Sequence, residues 1–141
     1  MSTIHRLRIQ DNDPHFGSHR LFDAFKYAPA VRANGFLFIA GQVGLRADGS
    51  IPDTVDEQIR CAFERLQAIL AHEGLNFSHL IDLTSYHVNL AEQLDTFRTI
   101  KDEFITHEFP AWTILGVQSL ARDSLWVEIK AVAVLDASSS S

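Results

Sequence analysis

Seven histidines and one cysteine are the side chains of this sequence with the most chemistry to offer, yet neither set forms a recognisable centre. His15 and His19 stand four apart, a spacing that clamps a metal only on a helix, and Pro14 and Gly17 mark that segment as loop. His72 and His79 match no ligand spacing, and HExxH is absent, so no metal centre is expected. Cys61 excludes an intrachain disulfide and a cysteine-based zinc cluster. It stands beside Ala62 and Phe63 in a helical stretch and reads as a buried structural thiol. Ser50, Ser85 and Ser119 lie in no nucleophile-elbow context, so a Ser-His-Asp hydrolase has no support. Taken one at a time, the remaining polar and aromatic residues have plain readings. Glu128 on an apolar strand reads as a solvent-facing acid paired with a nearby Lys or Arg. Trp112 reads as a core aromatic, Tyr27 as the cover of a hairpin, and His87 as a structural or interface histidine. Arg98, one residue after Phe97, reads as a solvated helix charge.

The elements that position these residues fit within one domain. The chain has 141 residues, 46% hydrophobic and 21% charged, which suffices for a core without disulfides or metal. A net charge of −6 argues against nucleic acid as the main partner, because phosphate binding draws on dense Lys/Arg surfaces. No stretch reaches the roughly 20 apolar residues that span a bilayer. The polar N-terminus lacks the apolar core of a signal peptide, so a cytoplasmic protein without membrane partners is expected.

Residues 1–25 are polar, with a short edge strand expected over His5–Ile9 and loop beyond; Ser138–Ser141 is expected to be a flexible tail. Ala28–Arg32 and Phe36–Val43 read as a hairpin turning at Asn34-Gly35. Thr54 and Glu57 have capping-box spacing, and Ile59, Ala62, Phe63, Leu66, Ile69 and Leu70 form a helical stripe ending before Gly74. A strand over Leu80–Val88, a helix over Ala91–Thr106 with Leu94, Phe97, Ile100 and Phe104 inward, and strands over Trp112–Val117 and Leu125–Leu135 complete the order β-β-α-β-α-β-β. That is an α+β sandwich, a mixed sheet with two helices on one face. On the last strand Val127, Ile129, Ala131 and Ala133 share one face, while Trp126, Val132 and Val134 share the other with Glu128 and Lys130. A second apolar face on a half-covered sheet calls for self-association.

Several segments, in order and spacing, resemble the Rid (reactive-intermediate deaminase, or YjgF) family: FLFIAGQVG (Phe36–Gly44), DEQIRCAFERLQAIL (Asp56–Leu70), Gly74-Leu75 ahead of IDLTSYHVN (Ile81–Asn89), FPAWT (Phe109–Thr113) and VEIKAVAV (Val127–Val134). The resemblance runs from about Tyr27 to Leu135. It implies a chorismate-mutase-like subunit in a homotrimer with clefts between subunits. In these clefts reactive enamines or imines of small metabolites are hydrolysed without a cofactor. Positioning and charge stabilisation supply the rate.

The family pattern carries over unevenly. Tyr27 matches the aromatic residue reaching into the site, Gly41 and Gln42 match the Gly-Gln pair lining it, and Glu128 matches the acid that positions the attacking water. Trp112, however, stands where the family has the arginine that clamps the substrate carboxylate, and Ile114 stands where Cys is common. An indole offers one N–H and cannot replace a bidentate guanidinium, a loss of roughly 2–5 kcal/mol at a buried site. The chain is thus expected to be a divergent member with altered substrate choice. Arg98 is the candidate replacement anchor, and His87 is a further candidate lining residue. Glu128 is expected to face a cleft near Trp112 on an adjacent strand, with Tyr27 arriving from another subunit. A non-catalytic small-molecule-binding trimer is the alternative. A ribonuclease or translation inhibitor is a weaker third, given the acidic balance.

Overall fold

The computed structural model describes residues 3–135, so the expected flexible tail at Ser138–Ser141 lies outside the described residues. The hairpin forms where the Asn-Gly signal places it. Strands β2 (Ala30–Ala33) and β3 (Phe36–Val43) pair antiparallel. Asn34 (φ 53°) and Gly35 (φ 82°) both occupy the left-handed region that a tight two-residue turn requires. Strand β1 covers only His5–Arg6 and pairs with β2 at the sheet edge, shorter than the expected His5–Ile9. Beyond it Ile9 is buried, and its N–H donates to His19 Nδ1 at 3.0 Å.

Helix α1 (Arg20–Phe25) arises in a stretch expected to be loop. It is six residues long, has no side-chain cap, and is held by one buried residue, Phe22. Helix α2 (Val55–His72) starts at the Thr54 cap, whose hydroxyl accepts from the Glu57 N–H at 3.2 Å. The expected stripe from Ile59 to Leu70 is wholly buried. Gly74 at φ 73° lets the chain leave the helix. Strand β4 (Leu80–Val88), helix α3 (Leu90–Phe104), strand β5 (Ala111–Val117) and strand β6 (Val127–Val134) follow in the expected order.

The sheet order is β1-β2-β3-β6-β4-β5, with β4 and β5 parallel across the α3 crossover and the other pairs antiparallel. This is an α+β fold with α2 and α3 on one face of a mixed sheet. On β6, Val127, Ile129, Ala131 and Ala133 are buried beneath the helices, while Glu128, Lys130, Val132 and Val134 point the other way. No helix of the described residues is long and apolar enough to cross a membrane. The face away from the helices carries Phe36 and Phe38, 38% and 49% exposed, across from Val134 and Val132. Cys61, expected to be buried, is only partly so.

Candidate functional site

A bulge in β3 decides what shares a face with Glu128. The register with β6 slips between Ile39 and Gln42, which turns Gln42 toward α2 and leaves Gly41 beside Glu128. A Cβ on Gly41 would lie 2.7 Å from Glu128 Cδ, so the carboxylate occupies the space a side chain would fill. Glu128 is half-buried and makes no hydrogen bond or ion pair with the described residues; the pairing with a neighbouring Lys or Arg does not form. Burial pushes its carboxyl pKa up. Desolvation raises the Tyr27 phenol pKa, with the Arg65 charge opposing the rise and the Glu128 charge adding a smaller upward push. Tyr27 packs edge-on against Phe22, ring centroids 5.0 Å apart. The result is a partly desolvated carboxylate over Gly41, without a hydrogen bond or ion pair among the described residues.

The helix-covered face holds the opposite arrangement. His87 is fully buried, with Nε2 2.7 Å from Ser85 Oγ and Nδ1 2.8 Å from Gln93 Oε1. Gln93 Nε2 donates to the carbonyls of Val88 and Trp126 at 2.7 and 3.0 Å, which fixes its Oε1 as an acceptor. His87 Nδ1 therefore carries the proton, Nε2 accepts from the Ser85 hydroxyl, and Ser85 Oγ accepts the Trp112 indole N–H at 2.9 Å. Burial holds the His87 pKa below its ordinary value, in keeping with a neutral ring. Trp112 stacks on Phe97 at 5.8 Å, and the Lys101 ammonium sits 4.8 Å from its ring centre.

Residues 18–135 match the model of the endoribonuclease L-PSP family. The RutC family protein YjgH of Escherichia coli K12 is 39% identical over 118 residues, covering 83% of this chain and 88% of that protein. The chain belongs to this family, which is the Rid or YjgF family. The 2-iminobutanoate/2-iminopropanoate deaminase of Mus musculus is 34% identical over 113 residues, 77% of this chain and 80% of that one. The solved structure of protein YJGH superposes with a TM-score of 0.79 at 35% identity, covering 92% of this chain and 95% of that chain.

Within this Rid-family chain the expected site residues divide into groups. Gly41 and Glu128 come together. Trp112 and Glu128 do not: β4 lies between their strands, and their side chains leave opposite faces of the sheet. The expected adjacency of those two strands is thereby corrected, because β6 inserts between β3 and β4 and leaves β5 at the edge. Ile114, 36% exposed, shares the Trp112 face near that edge. His87, expected to line a cleft, is sealed in the core, and the Gln42 side chain faces α2. Arg98 is exposed on α3, one residue after the Phe97 that stacks on Trp112. Tyr27, expected to approach from another subunit, is 42% exposed and rests on Phe22 of its own chain. Ser85 and Gln93 were missed. Ser85 stands two residues before His87 on one strand, which is the period that puts both on one face. Arg65 was missed too. It is buried on α2 at seven residues from Gln58 and four from Ile69, within the helical stripe.

Proposed function

We propose that this protein is a cofactor-independent deaminase of the Rid type, hydrolysing a small enamine, imine or related metabolite in clefts between subunits of a homotrimer. The observation that carries the reading is Glu128, a half-buried carboxylate with a raised pKa, no partner among the described residues, and Gly41 cleared beneath it. An acid of this kind costs stability where it stands, which a purely structural role does not explain. The related mouse protein, named a 2-iminobutanoate/2-iminopropanoate deaminase, supports the same chemistry.

In the proposed step Glu128 orients a water against the imine carbon. The water oxygen forms the new C–O bond, the C–N bond breaks, and nitrogen leaves as ammonia with the protons of that water, giving the carbonyl product. Trp112 cannot clamp a carboxylate, because its only N–H is spent on Ser85. In a cleft between copies, Trp112 of one subunit and Glu128 of another would supply opposite walls, and the ligand would be flatter and less anionic than a small imino acid.

The test uses imines generated in situ by an amino-acid oxidase, with ammonia-linked product release as the readout. Bulky aromatic imines should turn over, while 2-iminopropanoate and 2-iminobutanoate should turn over weakly. Trp112→Arg should raise the rate on the small acids. Tight binding of such compounds without turnover by wild type would leave a non-catalytic binding trimer, the reading favoured by an indole already committed to the core.

A further inference from the structure

In a chain of net charge −6, one cavity of about 370 Å³ is lined by four arginines, Arg20, Arg46, Arg65 and Arg122, and a single acid, Asp48. It lies between α1 and the loop that carries Leu45–Gly49. Only Arg46 is neutralised, by Glu57 at 3.2 Å. Among the described residues, Arg20, Arg65 and Arg122 meet no carboxylate within ion-pair distance.

Arg65 is the informative member. It is 5% exposed, and burial lowers its pKa, so its charge is held against a desolvation cost. Its Nε donates to Gln42 Oε1 at 3.2 Å and its Nη1 to the Leu45 carbonyl at 2.9 Å, both neutral acceptors. Phe16 stacks on the guanidinium, 4.3 Å from Cζ to the ring centre. Nη2 has no acceptor among the described residues, and no side-chain nitrogen there is both fully buried and unpartnered, so this end of the fork stays accessible. A second cavity borders Arg65, but three acids, Asp48, Glu57 and Glu64, face its three arginines, Arg46, Arg60 and Arg65, so it carries no excess of positive charge for an anion. A helix-to-strand tie would be served by a neutral side chain at lower cost. A rigid guanidinium with two donors fixed, one face covered by an aromatic ring and one end open suits a carboxylate or phosphate oxygen.

We infer that this cavity is a binding site for a small organic anion, a carboxylate or phosphate monoester whose apolar part lies against Phe16 and Phe22, with Arg65 as its floor and Arg20 and Arg122 at its rim. The site is separate from Glu128. It lies on the α2 side of β3, where Gln42 turns to meet Arg65, and it stands whether or not the deaminase reading does.

Titration calorimetry and thermal shift on the full-length protein, with inorganic phosphate and with succinate as separate arms, test this. One or both should bind saturably at millimolar concentration or below and raise the melting temperature, and the arm that binds identifies the anion class. Arg65→Gln, which retains an amide donor, should weaken that binding by about tenfold or more. Should Arg65→Gln fail to fold, Arg20→Glu with Arg122→Glu, both on the exposed rim, should weaken binding as much while circular dichroism stays native. Absence of saturable binding in both arms overturns the inference. So does binding that survives in the rim variant.

Discussion

The two faces of the central sheet treat their polar groups in opposite ways. Beneath the helices, every polar hydrogen of the Gln93–His87–Ser85–Trp112 chain has a destination, and Gln93, His87 and Ser85 read as one structural unit. On the uncovered face Glu128 has no partner among the described residues, and Phe36 and Phe38 face outward. A folded chain satisfies the polar groups it uses for stability; those left unsatisfied and half-buried are where binding or chemistry is to be sought. By that criterion Ser85 and His87, which resemble a nucleophile and its base in spacing alone, belong to the scaffold, and Glu128 does not.

The largest expected effect that tests this contrast is on activity. Glu128→Gln should lower imine hydrolysis by roughly 10²–10⁴-fold, the range of a positioned acid–base group. The same variant should unfold at a temperature equal to or slightly above wild type, because it removes an unpaired, partly desolvated charge. A large loss of thermal stability would place Glu128 with the structural groups and break the contrast.

Next comes assembly. Light scattering coupled to size exclusion should give three times the chain mass, and Phe38→Asp should give the single-chain mass with native circular dichroism. A charge set into the exposed Phe36–Phe38–Val132–Val134 surface is costly only if that surface is covered in solution. Monomeric wild type at micromolar concentration would remove both the trimer and any cleft between copies.

How far the sequence discloses these two faces depends on how local the deciding physics is. The Asn34-Gly35 turn, the Thr54 cap, the Ile59–Leu70 stripe and the alternation along β6 each depend on residues a few positions apart, and each forms as read. Strand order does not. That β4 separates β5 from β6, in a register that sets Trp112 beside Leu83 and Glu128 beside Tyr86, is settled by how distant segments pack, so the two are matched in motif yet end on opposite faces. The bulge that turns Gln42 toward Arg65 has no local signature beyond Gly41. Helix α1, six residues held by Phe22, is too short for periodicity to register. His87 on an apolar strand is equally compatible with a cleft and a core, until Gln93, six residues on, is seen to return along α3 to meet it.

The covered network predicts a stability effect of its own. His87→Ala leaves the Ser85 hydroxyl and the Gln93 carbonyl without their partners and opens a gap under Phe97, whose ring meets the imidazole edge-on at 4.6 Å. The expected loss is about 2–4 kcal/mol by urea denaturation. A loss within a few tenths of a kcal/mol of zero would mean the hydrogen-bonded chain contributes nothing beyond its packing.

The smallest effect is the one that sets the faces against each other, since their two titrating groups make stability depend on pH with opposite sign. His87 has a folded pKa below its ordinary 6.5, so between the two values the unfolded chain binds more protons. Its contribution is complete above 6.5 and is lost as pH falls toward the folded pKa. Glu128 has a folded pKa above its ordinary 4.5, so just above 4.5 the native chain binds more protons. Its contribution is complete below 4.5 and is lost as pH rises through the folded pKa. In wild type the two slopes oppose each other wherever their windows overlap, which flattens the dependence of unfolding free energy on pH. Urea titrations from pH 4 to pH 8, the range that brackets both ordinary values, separate them. Glu128→Gln should steepen the rise of stability with pH up to 6.5, exposing His87 alone. His87→Phe should leave a curve that declines above 4.5, exposing Glu128 alone. If Glu128→Gln leaves the slope unchanged, the carboxylate is solvated as in the unfolded chain, and the partly dry surface on which its proposed chemistry depends does not exist.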